Sequence, residues 1–208
     1  MKLNTTFLEF LSSVKTSVNG DHLLVGVSKR VRLPSSYQPK DLEVIDSKVA
    51  VARKGVKLRT EAAKAFIDMF KTGKNQGVNL IVLSAYRSYK DQEKVFADWA
   101  VKYGSRVTRM FSALPGHSEH QLGTALDLTS PQIMQGESNN FADTLESKWL
   151  KRNAAKFGFV LSYPEGKEKV TGYIYEPWHY RYIGVKNAEM MNKLRLTLEE
   201  FIKLIDEK

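Results

Sequence analysis

The sequence predicts a single α+β domain in which helices flank a central, largely antiparallel sheet. Three observations point to that class. The chain has 208 residues, the size of one ordinary domain with a real core. It is 42% hydrophobic and 26% charged, the balance of a packed globular protein rather than a disordered or fibrous one. Its apolar segments alternate irregularly between helical periodicity and short β-branched runs, without internal repeats, low-complexity tracts or a convincing linker.

Taken in order, the elements read as follows. Phe7, Phe10, Leu11 and Val14 fall on one face of a short helix ended by Asn19-Gly20, and the apolar run Leu23 to Val27 follows. Leu33 to Pro39 is an extended connector. Ala62, Ala65, Phe66, Met69 and Phe70 share a helical face over 60–72, with Thr60 as the expected N-cap and Gly73 as the expected stop. Val78 to Ala85 is too short and too β-branched for a helix and reads as a buried strand. Ser88 and Asp91 resemble a capping box opening a helix that carries Val95, Phe96, Trp99 and Tyr103. Phe111 to Ser118 reads as loop and Gly123 to Leu128 as strand. A helix from Asp143 to Phe157, stopped at Gly158, leads into Phe159 to Leu161. The aromatic run Tyr173 to Tyr182 is β-prone, and Leu198, Phe201, Ile202 and Ile205 mark a last amphipathic helix.

Composition narrows the chemistry. There are no cysteines, which excludes disulfides, thiolate zinc sites, iron–sulfur clusters and a cysteine nucleophile. No apolar run reaches the roughly 18 residues of a membrane span, and Glu9 interrupts the N-terminal apolar patch, so neither a span nor an intact signal peptide is expected. Thirty-two Lys and Arg against 23 Asp and Glu leave a net charge of +9. Such a surface attracts anionic partners: nucleic acid, anionic lipid or a phosphate-rich cell wall. The basic residues are scattered in short groups, the pattern of a solvated face, and no nucleic-acid-binding motif accompanies them.

Three of the four histidines occupy two places: His117 and His120 in PGHSEHQLGTALDL, and His179 in YEPWHY. A zinc site without sulfur needs three His or carboxylate ligands and an open position for water, and His120, Asp127 and His179 supply such a set. His117 is a rival ligand that spacing leaves in play, and the HExxH pattern is absent. Seven residues separate His120 from Asp127, an odd number that puts them on opposite faces of one straight strand, so a bend near Gly123 is required. Pro177 offers a similar break between Glu176 and His179, because it lacks a backbone donor and forces Glu176 extended.

The segment Ser118-x-His120-x-x-Gly123-x-Ala125-x-Asp127, followed by Glu176-Pro-Trp-His179 and preceded by Ser84-Ala-Tyr-Arg87-Ser88, resembles the VanY-like D-alanyl-D-alanine carboxypeptidases. Similar, too, are the VanX and VanXY dipeptidases and the LdcB/DacB L,D-carboxypeptidases, within the LAS group of zinc peptidases that includes hedgehog-like domains. The resemblance implies that fold, one Zn2+ per chain held by His120, Asp127 and His179, and Glu176 as general base. It implies that Arg87 stabilises the oxyanion, and that Arg87, Gln92, Ser118 and Trp178 line the substrate pocket. The implied organisation is an N-terminal helical extension over 1–22, a zinc carboxypeptidase domain over 23–184, and a C-terminal helix over 185–208 packed on the same domain. The implied reaction removes a terminal D-amino acid, D-alanine, from peptidoglycan stem peptides. Anionic cell-wall polymers are further expected partners; nucleic acid is not. Location at the cell envelope is expected, with a cytoplasmic enzyme as the alternative. The competing functions are a lysin-like endopeptidase of the same group and a non-catalytic zinc-containing binding domain.

Overall fold

Short β-branched runs pair into two antiparallel sheets, and a long amphipathic helix covers the larger one. The computed structural model describes residues 22–207, so the helix expected between Phe7 and Val14 lies outside the described residues. β1 (Leu42–Val44) and β2 (Lys57–Arg59) form a two-stranded ribbon. β3 (Ile81–Ser84), β4 (Ala125–Thr129), β5 (Phe159–Leu161) and β6 (His179–Tyr182) form a four-stranded sheet in the order β3-β4-β6-β5. All its pairings are antiparallel, as expected for an α+β domain.

Helix α1 (Thr60–Asn75) buries Ala62, Ala63, Phe66, Ile67 and Met69 in one core with Val82, Leu126, Leu128 and Tyr180 of the sheet. Phe66 meets Phe159 edge-on at 6.2 Å between ring centroids. The ends of α1 differ from expectation. Thr60 is its first helical residue rather than its cap, and the Thr60 amide and hydroxyl both donate to the Asp41 carbonyl. Gly73 lies inside the helix, packed against Val78 and Trp149, and the chain leaves the helix only beyond Asn75.

Helix α2 (Tyr89–Tyr103) is capped by Ser88, whose Oγ accepts from the Asp91 amide at 3.2 Å. The return arm of a full capping box is replaced by Ser88 Oγ donating to the Asp91 carboxylate at 2.5 Å. The single helix expected over 143–157 is broken into a 3₁₀ turn (Phe141–Asp143), helix α3 (Leu145–Asn153) and a second 3₁₀ turn (Ala154–Phe157). Thr144 restarts it by accepting from the Ser147 amide. In the run Tyr173 to Tyr182 only the last four residues join the sheet. At the C-terminal end two helices replace the one expected, α4 (Val185–Leu194) and α5 (Leu198–Asp206). They separate at Arg195, which has a positive φ of 55°, and α5 opens with a reciprocal capping box between Thr197 and Glu200. Their apolar faces join Leu24 and Val160 in a second core that includes Ala188, Met191, Leu198 and Phe201. No helix among the described residues is long and apolar enough to cross a membrane.

Gly158 ends the second 3₁₀ turn with φ 84°, and a Cβ there would sit 2.6 Å from Tyr182 Cε2 and 3.0 Å from the backbone of Gly184 and Val185. Both the left-handed conformation and the backbone contact demand glycine. Gly158→Ala is therefore expected to destabilise the fold by about 1–3 kcal/mol, lowering the melting temperature by several degrees in a thermal unfolding scan.

Candidate functional site

The register of β4 gathers the site. Asp127 is directly opposite His179 on β6 and, across a bulge in β3, opposite Ser84. Side chains opposite one another on antiparallel strands share a face, so Asp127 and His179 project together. His120 arrives from a 3₁₀ turn (Glu119–Leu122) that Gly123 ends in the left-handed conformation, φ 68°. That turn is the bend the odd spacing required. Glu176 precedes the strand and is joined to it by a turn in which the His179 amide donates to the Glu176 carbonyl at 3.1 Å.

His120 Nε2 lies 3.1 Å from Asp127 Oδ2, and His179 Nδ1 lies 2.9 Å from Asp127 Oδ1. The ligand atoms of these three residues are all within 4.8 Å of one another, and they form a group that could hold one metal ion. Two imidazoles, one carboxylate and an open side match a catalytic zinc centre, where ligand atoms stand about 2.0–2.2 Å from the ion. The nitrogens turned away from that centre are also held. His120 Nδ1 donates to the Ala85 carbonyl at 2.7 Å, and His179 Nε2 is 2.9 Å from Glu119 Oε2. Such outer partners fix the tautomer and ring orientation of metal-binding histidines. His117 stands apart from the group, its Nδ1 donating to the Ser28 carbonyl at 2.8 Å.

Glu119 is the residue that motif reading missed. Its Oε2 also accepts from Ser162 Oγ at 2.6 Å, and its Oε1 pairs with Arg181 Nη1 at 2.9 Å. Arg181 is fully buried and donates through Nη2 to the carbonyls of Leu23 and Val25. Burial pushes the Glu119 carboxyl up, but Arg181 and His179 outweigh it and hold it at about 2. Burial likewise raises Asp127, and the two histidines override that to keep it far below the usual carboxylate range. His179 is lowered by burial yet carried to about 10 by its bonds to Asp127 and Glu119. Arg181 did give a sequence signal, as a lone charge inside the aromatic run Tyr180 to Tyr182, whereas Glu119 sits in the polar stretch Ser118 to Gln121 and gave none.

A cleft of about 390 Å³ opens over this group, lined by Arg53, Arg87, Gln92, Ser118, Glu176 and Trp178 among others. Arg87 Nη1 donates to Gln92 Oε1 at 2.7 Å, Nη2 donates to Ser84 Oγ at 3.0 Å, and Nη2 stands 3.9 Å from Asp127 Oδ2. Gln92 is anchored in turn by donating to the Ala113 carbonyl at 2.7 Å. Ser118 is buried on the cleft wall, and Trp178 is half-buried between cleft and core. Glu176 is only 6% exposed, and burial raises its carboxyl to about 8 against the opposing pull of His179. A divalent cation on the neighbouring ligands would draw that value back down. The apolar face of α2 turns toward the cleft. Val95 and Trp99 of α2 line the cleft, and Gln92 is the one residue of α2 that is buried.

Comparison with known proteins agrees with this geometry. Residues 55–185 match the VanY family, described as D-alanyl-D-alanine carboxypeptidase. The putative carboxypeptidase YodJ of Bacillus subtilis is 38% identical over 94% of this chain and 72% of its own length. The solved structure of the LdcB LD-carboxypeptidase superposes with a TM-score of 0.80 at 38% identity, covering 91% of this chain and 90% of that one. The D,D-pentapeptidase VanY of the VanB-type vancomycin-resistance cassette, solved in complex with Zn(II), gives 0.73 at 29% identity over 86% of this chain and 98% of that one.

The Glu119 contacts generate a measurable expectation. Glu119→Gln leaves the buried Arg181 without its counter-charge, a loss of about 3–5 kcal/mol, and weakens the acceptor that orients His179. The variant should melt well below the parent protein and bind zinc about 10–100-fold more weakly in a chelator competition.

Proposed function

The chain belongs to the VanY family and is a zinc carboxypeptidase of peptidoglycan metabolism, and from that premise we propose that it removes a terminal D-alanine from stem peptides at the cell envelope. One observation carries the reading: a His-Asp-His group, both histidines buried, with a buried carboxylate, Glu176, beside it on the wall of one cleft. That combination serves water-mediated hydrolysis rather than a purely structural metal, since a structural site has no use for a free base in its open quadrant.

In this reading His120 Nε2, Asp127 and His179 Nδ1 hold the ion. Zinc, when bound there, supplies an acidified water and a polarised scissile carbonyl. Glu176 takes the water's proton and delivers it to the departing amine, which its burial next to the ligands equips it to do. Arg87, pinned by Gln92 and Ser84, places a fixed positive charge where negative charge develops on the carbonyl oxygen. Gln92 and Ser118 join Arg87 in reading the free terminal carboxylate, and Trp178 walls the pocket.

Alanine at His120, Asp127 or His179 should release both zinc and activity, whereas Glu176→Ala should retain zinc and fold while turnover falls at least about a hundredfold. Metal analysis beside a rate assay checks both. Wild-type turnover in the Glu176 variant would assign the base to another group, and absence of turnover in the parent protein would leave the non-catalytic reading standing. A stem peptide ending in free D-Ala should be cut at its last bond, and its C-terminal amide at least about tenfold more slowly, because the carboxylate readers lose their charge partner. Mass spectrometry of the products is decisive here: equal rates with longer fragments would instead identify an endopeptidase.

A further inference from the structure

A second, smaller cavity of about 150 Å³ adjoins the catalytic cleft, and Ser112 and Tyr173 line both. Its remaining walls are Lys29, Arg109, Leu114 and His117. Two cations therefore converge on it. Among the described residues neither has a carboxylate within salt-bridge reach.

Lys29, though exposed, is held in place by its contacts. Lys29 Nζ donates to the Arg109 carbonyl at 2.7 Å and lies over the Tyr173 ring, 4.5 Å from its centroid. Its stem rests on Gly172, where a Cβ would stand 2.9 Å from Lys29 Cδ. The Ile174 amide donates to the Met110 carbonyl at 3.0 Å, tying the loop that carries Arg109 to the one that carries Tyr173. Burial and the nearby Arg109 charge both depress the Lys29 ammonium, as two uncompensated like charges should. An anion between them would relieve that repulsion, with charge-assisted bonds from donors already in place.

Position relative to the metal ligands says which anion. The Tyr163 ring is 4.9 Å from the His179 ring and 4.7 Å from Tyr173, so the path from ligand to Lys29 is three ring contacts long. An extended peptide covers that path in roughly two to four residues at about 3.3–3.6 Å each. Arg87, the cation proposed to face the terminal carboxylate, reaches the metal group from its Asp127 side instead. With one residue accommodated there, the rest of the peptide leaves along the other wall.

We propose that the cavity walled by Lys29 and Arg109 is an anion subsite for a carboxylate on the substrate peptide, two to four residues N-terminal to the cut bond. It rests on the carboxypeptidase reading above and adds a specificity that reading does not contain: a preference for acidic over amidated stems. Gly172 and Tyr173 shape the site, and the two cations supply its charge.

The test uses two peptides with the same free C-terminal D-Ala, one with an upstream carboxylate and one with that group as its carboxamide. The wild-type protein should cut the acidic peptide with kcat/KM at least about tenfold higher, the difference residing in KM. Lys29→Gln combined with Arg109→Gln should bring the acidic peptide down to the level of the amidated one and leave the amidated rate unchanged. Direct titration of both peptides into the zinc-loaded Glu176→Ala variant should show the same tenfold preference and its loss on adding the two substitutions. Equal wild-type rates and affinities for the two peptides overturn the subsite and leave the peptidase standing. A selective affinity with neither peptide cut overturns the peptidase and leaves the subsite. If the double variant instead responds only to capping of the C-terminus, the cavity reads the terminal carboxylate and the inference is wrong. It is equally wrong if the substitutions abolish retention on a phosphate-bearing wall polymer while both peptide rates hold.

Discussion

The register between β4 and β6 is the constraint on which the rest depends. It sets Asp127 against His179 and Leu126 against Tyr180, so the site and the core are opposite faces of the same two strands. Leu126 and Leu128 sink into the core beneath α1 while Asp127, between them, turns to the cleft. Side chains alternate with a period of two, and a slip of one residue would carry the carboxylate into the core and the leucines into the cleft. Hydrophobic burial thus enforces the geometry of a charged site. No separate device is needed to align the ligands from these two strands.

Beneath that register lies a buried charge arrangement that also has to close. His179 stands between two carboxylates, Asp127 on the cleft side and Glu119 on the other, and Glu119 is balanced by Arg181. Arg181 pairs across the sheet with Ala125, a residue small enough to leave room for a guanidinium. Its Nη2 donates to the carbonyls of Leu23 and Val25, so the segment preceding the connector is fastened to the floor of the metal site. A buried ion pair is costly unless its hydrogen bonds are made, and here the serine, the histidine and two carbonyls make all but that of Arg181 Nε. The expense is accepted where a histidine must be held in one orientation.

Much of this was legible in the sequence. The break at Pro177 and the bend at Gly123 follow from residue chemistry and parity, the grouping of Glu176 and Arg87 with the three candidate ligands follows from the family resemblance, and the structure brings His120, Asp127, Glu176, His179 and Arg87 to one cleft. Spacing leaves both His117 and His120 open as ligands; in the structure His117 is bonded to the Ser28 carbonyl, 89 residues away in sequence, and it is His120 that joins Asp127 and His179 in the group that could hold an ion. The pairing of Glu119 with Arg181 is hidden for the same reason, since its partners are 62 residues apart in sequence. The helix ends were misplaced where tertiary contacts override local signals. Thr60 binds Asp41 across the β1–β2 ribbon instead of capping, and Gly73 serves as a close-packing residue against Val78 and Trp149.

Helix α2 shows most plainly why periodicity alone stops short of function. Gln92, Val95, Trp99 and Tyr103 recur at helical spacing, a pattern that ordinarily marks a face packed into protein. In the fold Trp99 remains 39% exposed, stacked on Tyr103 and meeting Phe111 edge-on at 5.7 Å. The stripe begins at a buried glutamine bonded to Arg87 and runs along the wall of the cleft. The stripe thus joins apolar side chains to a fixed guanidinium beside Asp127, and the spacing that suggests a core helix here lines a cleft that the core does not fill.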